Sequence, residues 1–231
     1  MAFLGVGPLR KMEQRDRLVP LPPLDPLREI PRMRLAFLAS ALALSAALAV
    51  PARADVSSTI EGAQRLDSLE TFLSRYVGRC TDPYERKACE ANVAQARKAA
   101  AGKTFVVRVT DAAMLVRPER RGDGYVLLFT PFIDGGGLAL THGAPAKQDA
   151  QGRPLMSFIP IDSRPPPGVM DMEFESPFRT GAIELEIAFR PERTWRLSRK
   201  GEGLYEGVAA HFVAVRVINS RTGSAIAEKA L

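Results

Sequence analysis

The spacing of hydrophobic residues changes once along the chain, near residue 102. Between residues 58 and 79 the apolar residues recur every three or four positions, which predicts one amphipathic helix. A second helix is predicted over residues 83–101, ended by Gly102. Its apolar face is thin and consists mainly of alanine, so it should pack closely but cover little. Together the two helices predict a helical hairpin within residues 55–102.

From Lys103 onward, apolar residues alternate with polar ones, as in strands with one buried face. Residues 113–117 fit this pattern weakly. Clearer stretches cover residues 103–110, 124–132, 137–141, 154–162, 170–175, 183–189, 194–198, 204–218 and 224–228. We therefore expect a mainly β chain, α+β overall. In it, residues 103–231 form an antiparallel β-sandwich or a small β-barrel of about eight or nine strands, packed on the helical hairpin.

Residues 33–54 stand apart from both patterns. They begin with Met33 and a positive charge, continue with an apolar run, and end with two small residues at the spacing that signal peptidase recognises. This is the arrangement of a signal peptide, and it predicts cleavage between Ala54 and Asp55. The run is short for a membrane span, which needs about 20 apolar residues. An uncleaved anchor and a buried helix are the alternatives.

Residues 1–32 precede this signal and are rich in proline and charge, without a sustained apolar period. We expect them to be an over-extended start, disordered if translated, with Met33 as the initiator. The alternative is a cytoplasmic tail in front of an uncleaved anchor. The mature chain should then begin at Asp55, be periplasmic or extracellular, and contain no membrane span.

Removal of residues 1–54 changes the charge of the chain. The full sequence has 32 basic and 26 acidic residues and a formal net charge of +6. Eight of the basic and four of the acidic residues precede Asp55, so the mature chain has a formal net charge of +2. Nucleic-acid binding needs a concentrated basic surface, and we expect none here.

Both cysteines, Cys80 and Cys89, lie in the mature chain, within CTDPYERKAC. An even cysteine count in an exported chain predicts a disulfide. On one continuous helix their Cα atoms would be about 13 Å apart, which exceeds the roughly 4.4–6.8 Å of a disulfide. The helix must therefore break between them, and Gly78 and Asp82-Pro83 supply suitable residues for that break.

The chain offers little catalytic chemistry. It has two histidines, and no Gly-x-Ser-x-Gly nucleophile motif occurs. His142 falls in a predicted loop, where it could serve a site or be a simple exposed side chain. His211 falls in a predicted strand. No motif implies a cofactor, and no catalytic residue is assigned.

One carboxylate-rich arrangement follows from the strand pattern. If residues 170–175 and 183–189 form a hairpin, Glu173 lies opposite Glu186, and Glu175 lies opposite Glu184. A meander through residues 190–192 would then bring Arg196 beside Glu186. The arrangement predicts either a solvated, salt-bridged face or a weak divalent-cation site, because hard cations take oxygen ligands.

The layout of a signal, a helical hairpin with CTDPYERKAC and a strand-rich remainder beginning GKTFVVRV resembles exported bacterial domains of unknown function. This resemblance supplies no catalytic residues. We expect an exported, non-catalytic, β-rich protein that is either a binding module or associated with the cell envelope; its ligand is unknown, and an envelope protein and a small molecule are the two candidate partners. The alternatives are a small-ligand carrier with a β-barrel cavity and an enzyme that uses His142.

Overall fold

The structure, a computed structural model, describes residues 55–149, 152–199 and 203–231. The predicted signal, with Ala54 at its end, and the predicted extension over residues 1–32 lie outside the described residues. The helices are α1 (Val56–Glu61), α2 (Leu69–Val77), α3 (Arg86–Ala100) and α4 (Asp171–Arg179), with a 3-10 turn at Ala112–Leu115. The strands are β1 (Gln64–Arg65), β2 (Phe105–Val109), β3 (Val116–Arg121), β4 (Gly124–Phe129), β5 (Phe132–Asp134), β6 (Ala139–His142), β7 (Lys147–Gln148), β8 (Pro154–Leu155), β9 (Ile159–Ser163), β10 (Ile183–Arg199), β11 (Gly203–Asn219) and β12 (Ala225–Ala230).

Strands β10 and β11 form a long antiparallel hairpin at the centre of a seven-stranded sheet. The sheet order is β1-β2-β10-β11-β6-β5, and β12 also pairs with β11. The β-rich α+β fold is as predicted. The sheet is mixed, however, because β1 pairs with β2, and β6 with β11, in parallel.

A smaller antiparallel sheet, β3-β4-β9, shares the hydrophobic core with the large one, and β7 and β8 form a two-stranded ribbon. One buried cluster contains Leu127 and Ile161 of the small sheet, Leu185 and Val217 of the large sheet, and Leu73 of α2. Within the described residues the large sheet is open, with β1 and β5 at its edges. A core shared by two open sheets fits the sandwich alternative rather than the closed barrel.

The single helix predicted over residues 58–79 is wrong, because this segment forms α1, β1 and α2. Helix α1 buries Ile60 against Val106 on one face of the large sheet. Helix α2 buries Leu73 in the core on the other face, with Phe105. One continuous helix could not cover both faces. Strand β1 carries the chain around the sheet edge, and Ser68 starts the new helix by accepting a hydrogen bond from the N–H of Thr71.

The strand predicted over residues 170–175 is also wrong, because the chain forms α4 there. Phe174 and Pro177 are buried and Phe178 is half-buried, and this spacing is helical. The Phe174 ring packs on Tyr125 of β4, with 4.4 Å between ring centroids. Acidic side chains at the start of α4 interact favourably with the helix dipole.

The turn predicted near residues 190–192 does not form, and β10 runs through it as one strand. The register of β10 with β11 shifts between Pro191 and Arg193, which leaves Glu192 as an extra residue in a bulge. The pairing of β10 with β2 ends at Phe189. Proline is tolerated here because β10 has only one strand neighbour beyond that point.

Candidate ligand-binding groove of the helical hairpin

Helices α2 and α3 are joined by the loop that the predicted disulfide closes. The sulfur atoms of Cys80 and Cys89 are at bonding distance, and their Cα atoms are 5.6 Å apart. Between them the chain reverses: the Asp82 carboxylate accepts a hydrogen bond from the N–H of Tyr84 at 2.8 Å. The bridge therefore fixes the start of α3 next to the end of α2.

Two further contacts hold α3 against α2. The Arg97 guanidinium donates to the carbonyl oxygens of Tyr76 and Val77, at 2.9 and 3.2 Å, and so satisfies the end of α2. Gly78, at φ +64°, approaches α3 so closely that a Cβ atom there would lie 2.0 Å from Cγ2 of Val93. The helices thus meet at a few defined points.

Elsewhere α3 covers little, as its alanine-rich face predicts. Of its 15 residues, only Ala100 is buried, and Cys89, Val93 and Ala96 are half-buried. Small side chains leave space between α3, α2 and the sheet edge. That space forms a groove of about 430 Å³, here called the hairpin groove. It is lined by Gln64, Arg65, Leu66, Asp67, Ser68, Thr71, Phe72, Arg75, Tyr76, Ala96, Ala99, Ala100, Lys103 and Phe105.

The apolar part of the hairpin groove is mainly aromatic. Phe72 of α2 is half-buried, and its ring centroid lies 5.1 Å from that of Phe105 and 5.7 Å from that of Tyr76. A third ring, Phe189 of β10, supports it from the core at 5.6 Å. These packed rings give the groove a rigid apolar floor.

The polar part of the groove is mainly cationic. Arg65 pairs with the buried carboxylate of Glu186 at 3.2 Å. Arg75 and Lys103 have no side-chain hydrogen bond or ion pair with any of the described residues. Asp67 is the one acidic residue that lines the groove.

Tyr76 contributes a neutral hydroxyl to this region. Its hydroxyl donates to the carbonyl oxygen of Glu192 on β10 at 3.4 Å. Burial raises the pKa of Tyr76; Arg97 opposes that shift and the Glu192 carboxylate adds to it. The phenol therefore remains protonated at physiological pH.

A second groove of about 650 Å³ lies between the same two helices and shares Arg75, Ala96 and Ala99 with the hairpin groove. A third concavity, of about 530 Å³, lies elsewhere and is mainly apolar. Phe132, Phe158 and Tyr205 are among its lining residues. Phe158 is half exposed, and the Arg117 guanidinium lies over its ring at 5.6 Å.

The structure places His142 at the end of β6 rather than in a loop, and His211, as predicted, in a strand. His142 Nδ1 accepts a hydrogen bond from the backbone N–H of Phe212 at 3.0 Å, and its ring centroid lies 5.6 Å from that of His211. Burial lowers the pKa of His142, nearby His211 lowers it further, and Glu192 acts in the opposite direction. Neither histidine lines the hairpin groove.

The structure does not bring the four predicted cation ligands together. Glu173 and Glu175 lie on α4, where Glu175 accepts a hydrogen bond from the Tyr125 hydroxyl at 3.1 Å. Glu184 and Glu186 lie on β10 and pair with arginines. The helix at residues 171–179 removes the hairpin on which the site depended. Among the described residues, no group of three or more His, Cys, Asp and Glu side chains is arranged to hold a metal ion.

Arg196 does not lie beside Glu186, contrary to the predicted meander. It pairs with Glu206 on β11 at 3.2 Å, and Arg79 approaches the same carboxylate at 3.7 Å. Glu206 is buried, and a buried carboxylate is costly unless its charge is paired; its two arginine partners provide that compensation. The Arg79–Glu206 contact links the chain just before Cys80 to the β10–β11 hairpin.

Sequence reasoning did not identify Phe72, Arg75 and Lys103 as neighbours. Phe72 belongs to the predicted apolar stripe of the first helix, and Lys103 precedes the first strand. The thin apolar face of the second helix is the one sequence feature that indicates space beside it.

The fold and groove define a β-rich α+β domain with a disulfide-linked helical hairpin at its sheet edge. The chain belongs to the family of unknown function DUF6066, whose model matches residues 32–228. No curated protein and no solved structure matches the chain. Within residues 55–149, 152–199 and 203–231, none of the helices has the length and apolar character required to cross a lipid bilayer.

Proposed function

We propose that this chain is an exported, non-catalytic binding module that holds a small amphipathic molecule in the hairpin groove. The observation that carries the proposal is the lining of that groove, where an aromatic floor meets a polar rim. Small-molecule sites are typically concavities of roughly 300–1,000 Å³ with apolar walls and a few orienting polar groups. The hairpin groove, at about 430 Å³, falls in that range.

Export is supported by the sequence and by the cysteine chemistry. Residues 33–54 have the three parts of a signal peptide, and the family match, which starts at residue 32, includes them. A disulfide between Cys80 and Cys89 fits an oxidising compartment, either the periplasm or the medium. Cleavage after Ala54 would leave the hairpin close to the new N-terminus.

Binding is favoured over catalysis by where the reactive side chains lie. The chain has two histidines, and His142 already uses Nδ1 to accept the Phe212 N–H. In the groove itself, the Ser68 hydroxyl accepts the N–H of Thr71 as a helix cap. The groove residues are suited to contact a ligand rather than to transfer protons or acyl groups.

The test is binding of the neutral fluorescent probe N-phenyl-1-naphthylamine to the purified protein. Ala99 is exposed on α3 and lines the groove, so Ala99→Leu adds an isopropyl group to the space without truncating the core. We expect saturable binding by the unaltered protein and about tenfold weaker binding by this variant, equivalent to about 1.4 kcal/mol.

Ala94→Leu is the matched control, because Ala94 is also exposed on α3 but lines neither groove between the helices. It should bind the probe as the unaltered protein does. Asn92→Leu, which enters the second groove alone, and Phe158→Ala, in the third concavity, should also leave binding unchanged; the first of these separates the hairpin groove from the second groove, which Ala99 also lines. Equal affinity of the Ala99→Leu variant, or a loss confined to Phe158→Ala, would reject the hairpin groove as the site.

A further inference from the structure

The charges around the hairpin groove indicate which amphipathic molecules it takes. We infer that the ligand carries an anionic head group, such as a carboxylate, that lies between Arg75 and Lys103, with its apolar body on the aromatic floor. This inference rests on the proposed function, and it adds the chemical class of the ligand.

The first support is that Arg75 and Lys103 have no partner among the described residues, whereas Arg65, the third cation that lines the groove, has one. Arg65 pairs with Glu186, Arg79 approaches Glu206, and Arg97 donates to the backbone at the end of α2. Arg75 and Lys103 make no such contact with the described residues. Their donors are therefore free for a ligand.

The second support is the balance of charge. Of the three cationic side chains that line the groove, Arg65 is paired with Glu186, which leaves Arg75 and Lys103 against Asp67, the one acidic residue of the lining. Like charges gathered in one concavity repel one another and raise the local concentration of anions. An anionic head group would relieve that repulsion, whereas a cationic one would add to it.

The third support is the aromatic floor of the groove. An inorganic anion bound at the cations would leave the exposed part of this floor in contact with water. The Phe72 ring is half-buried and rests on the buried rings of Phe105 and Tyr76. Covering the exposed part of Phe72 with the apolar body of the ligand removes apolar surface from water and adds affinity. The site thus combines one point of charge recognition with an apolar contact.

The experiment compares three amphiphiles built on a ten-carbon chain: decanoate, decanol and decyltrimethylammonium. Each is titrated against N-phenyl-1-naphthylamine bound to the purified protein, at concentrations below its micelle concentration or solubility limit, and its displacement of the probe is measured. We expect decanoate to bind most tightly and the cation least. Arg75→Gln and Lys103→Gln should each weaken decanoate about two- to fivefold, as expected for one exposed charge pair, and leave decanol unchanged.

The matched controls remove a positive charge from α3 outside the groove. Arg86→Gln and Lys98→Gln do so, since neither residue lines the hairpin groove. Both should bind decanoate as the unaltered protein does. The dependence on salt tests the same point without substitutions. Raising the ionic strength should weaken the binding of decanoate but not that of decanol, because salt screens interactions between exposed charges.

Equal affinities for decanoate and decanol, both left unchanged by Arg75→Gln, by Lys103→Gln and by salt, would overturn the inference of an anionic head group. That result would leave the proposal of a small-molecule binding site intact. Tighter binding of the cation would overturn it too. Failure of all three amphiphiles and of the probe would reject the proposed function itself.

Discussion

The backbone N–H of Phe212 donates a hydrogen bond to Nδ1 of His142, with 3.0 Å between the nitrogen atoms. This bond fills a gap along one edge of β11, where β6 pairing ends at Ala210 and β12 pairing begins at Ala214. A histidine side chain thus satisfies a backbone group that neither strand pairs. It can do so only while Nδ1 carries no proton, so the bond depends on pH.

The first prediction is that His142 makes the folded state less stable in mild acid. Its pKa is lowered in the folded protein, chiefly by burial, from the value of about 6.5 in an unfolded chain. Its contribution to stability is therefore present above about pH 6.5 and is lost as the pH falls through the folded-state pKa. Urea unfolding between pH 7.5 and 5 should show this loss in the unaltered protein.

His142→Asn should remove that part of the pH dependence, because an amide oxygen can accept the Phe212 N–H without titrating. His211→Asn is the control. It should keep most of the dependence, since burial is the larger cause of the His142 shift. Parallel pH profiles for the unaltered protein and His142→Asn would contradict the assignment.

The second prediction concerns two glutamates on the same face of β10. Glu186 is buried and lies 3.2 Å from both Arg65 and Arg216, and the Arg216 side chain is only 18% exposed. Glu184 pairs with Arg108, whose side chain is half exposed. Glu186→Ala should lower the free energy of unfolding by about 1.5–3 kcal/mol, the range for hydrogen bonds to charged groups.

Glu184→Ala is the matched control for that substitution, and we expect it to cost at most about 1 kcal/mol, as surface ion pairs do. Chemical denaturation of both variants tests the difference. Equal losses would show that burial of the Arg216 pair adds nothing to its strength.

The third prediction concerns Thr141, which is fully buried beside Trp195. The Thr141 hydroxyl accepts a hydrogen bond from Nε1 of Trp195 at 2.9 Å and donates to the carbonyl oxygen of Gly143 at 2.7 Å. Thr141→Val keeps the shape but leaves the indole N–H unpaired, so it should destabilise by about 1–3 kcal/mol. Thr141→Ser keeps the hydroxyl and should cost less. Fluorescence of Trp195, the single tryptophan, follows unfolding directly.

The alternation of apolar and polar residues predicted strands well where one face of the strand packs against the core, because the apolar residues on that face can be identified from the sequence. Ile183, Leu185 and Ile187 are all fully buried as predicted. Alternation failed at residues 170–175, since six residues are too few to separate a period of two from a helical one. There the decisive residues were Pro177 and Phe178, which complete a helical stripe with Phe174 only when the window is extended.

The candidate groove was less accessible from the sequence than the fold. The cysteine pair could be predicted because two cysteines and turn-forming residues lie within ten positions. The space beside α3 depends instead on how far two helices stand apart, which is set by the contact of Gly78 with Val93 and by the bridge. Strand β1 also depends on long-range pairing, because Gln64 is a strand residue only through its pairing with Phe105 of β2.

The last prediction is that the disulfide stabilises α3 more than the rest of the chain, because α3 buries only Ala100. A closed loop of about ten residues should contribute about 2–3 kcal/mol through the unfolded state. Replacing both Cys80 and Cys89 by serine should lower the free energy of unfolding by that amount. Amide hydrogen exchange should rise most over residues 86–100, by more than the loss of global stability, whereas the slowest amides of β10 and β11, which exchange through global unfolding, should accelerate by no more than that loss. Uniform acceleration of exchange across α3 and both strands would mean that the hairpin and the sheet unfold together, contrary to the light packing of α3.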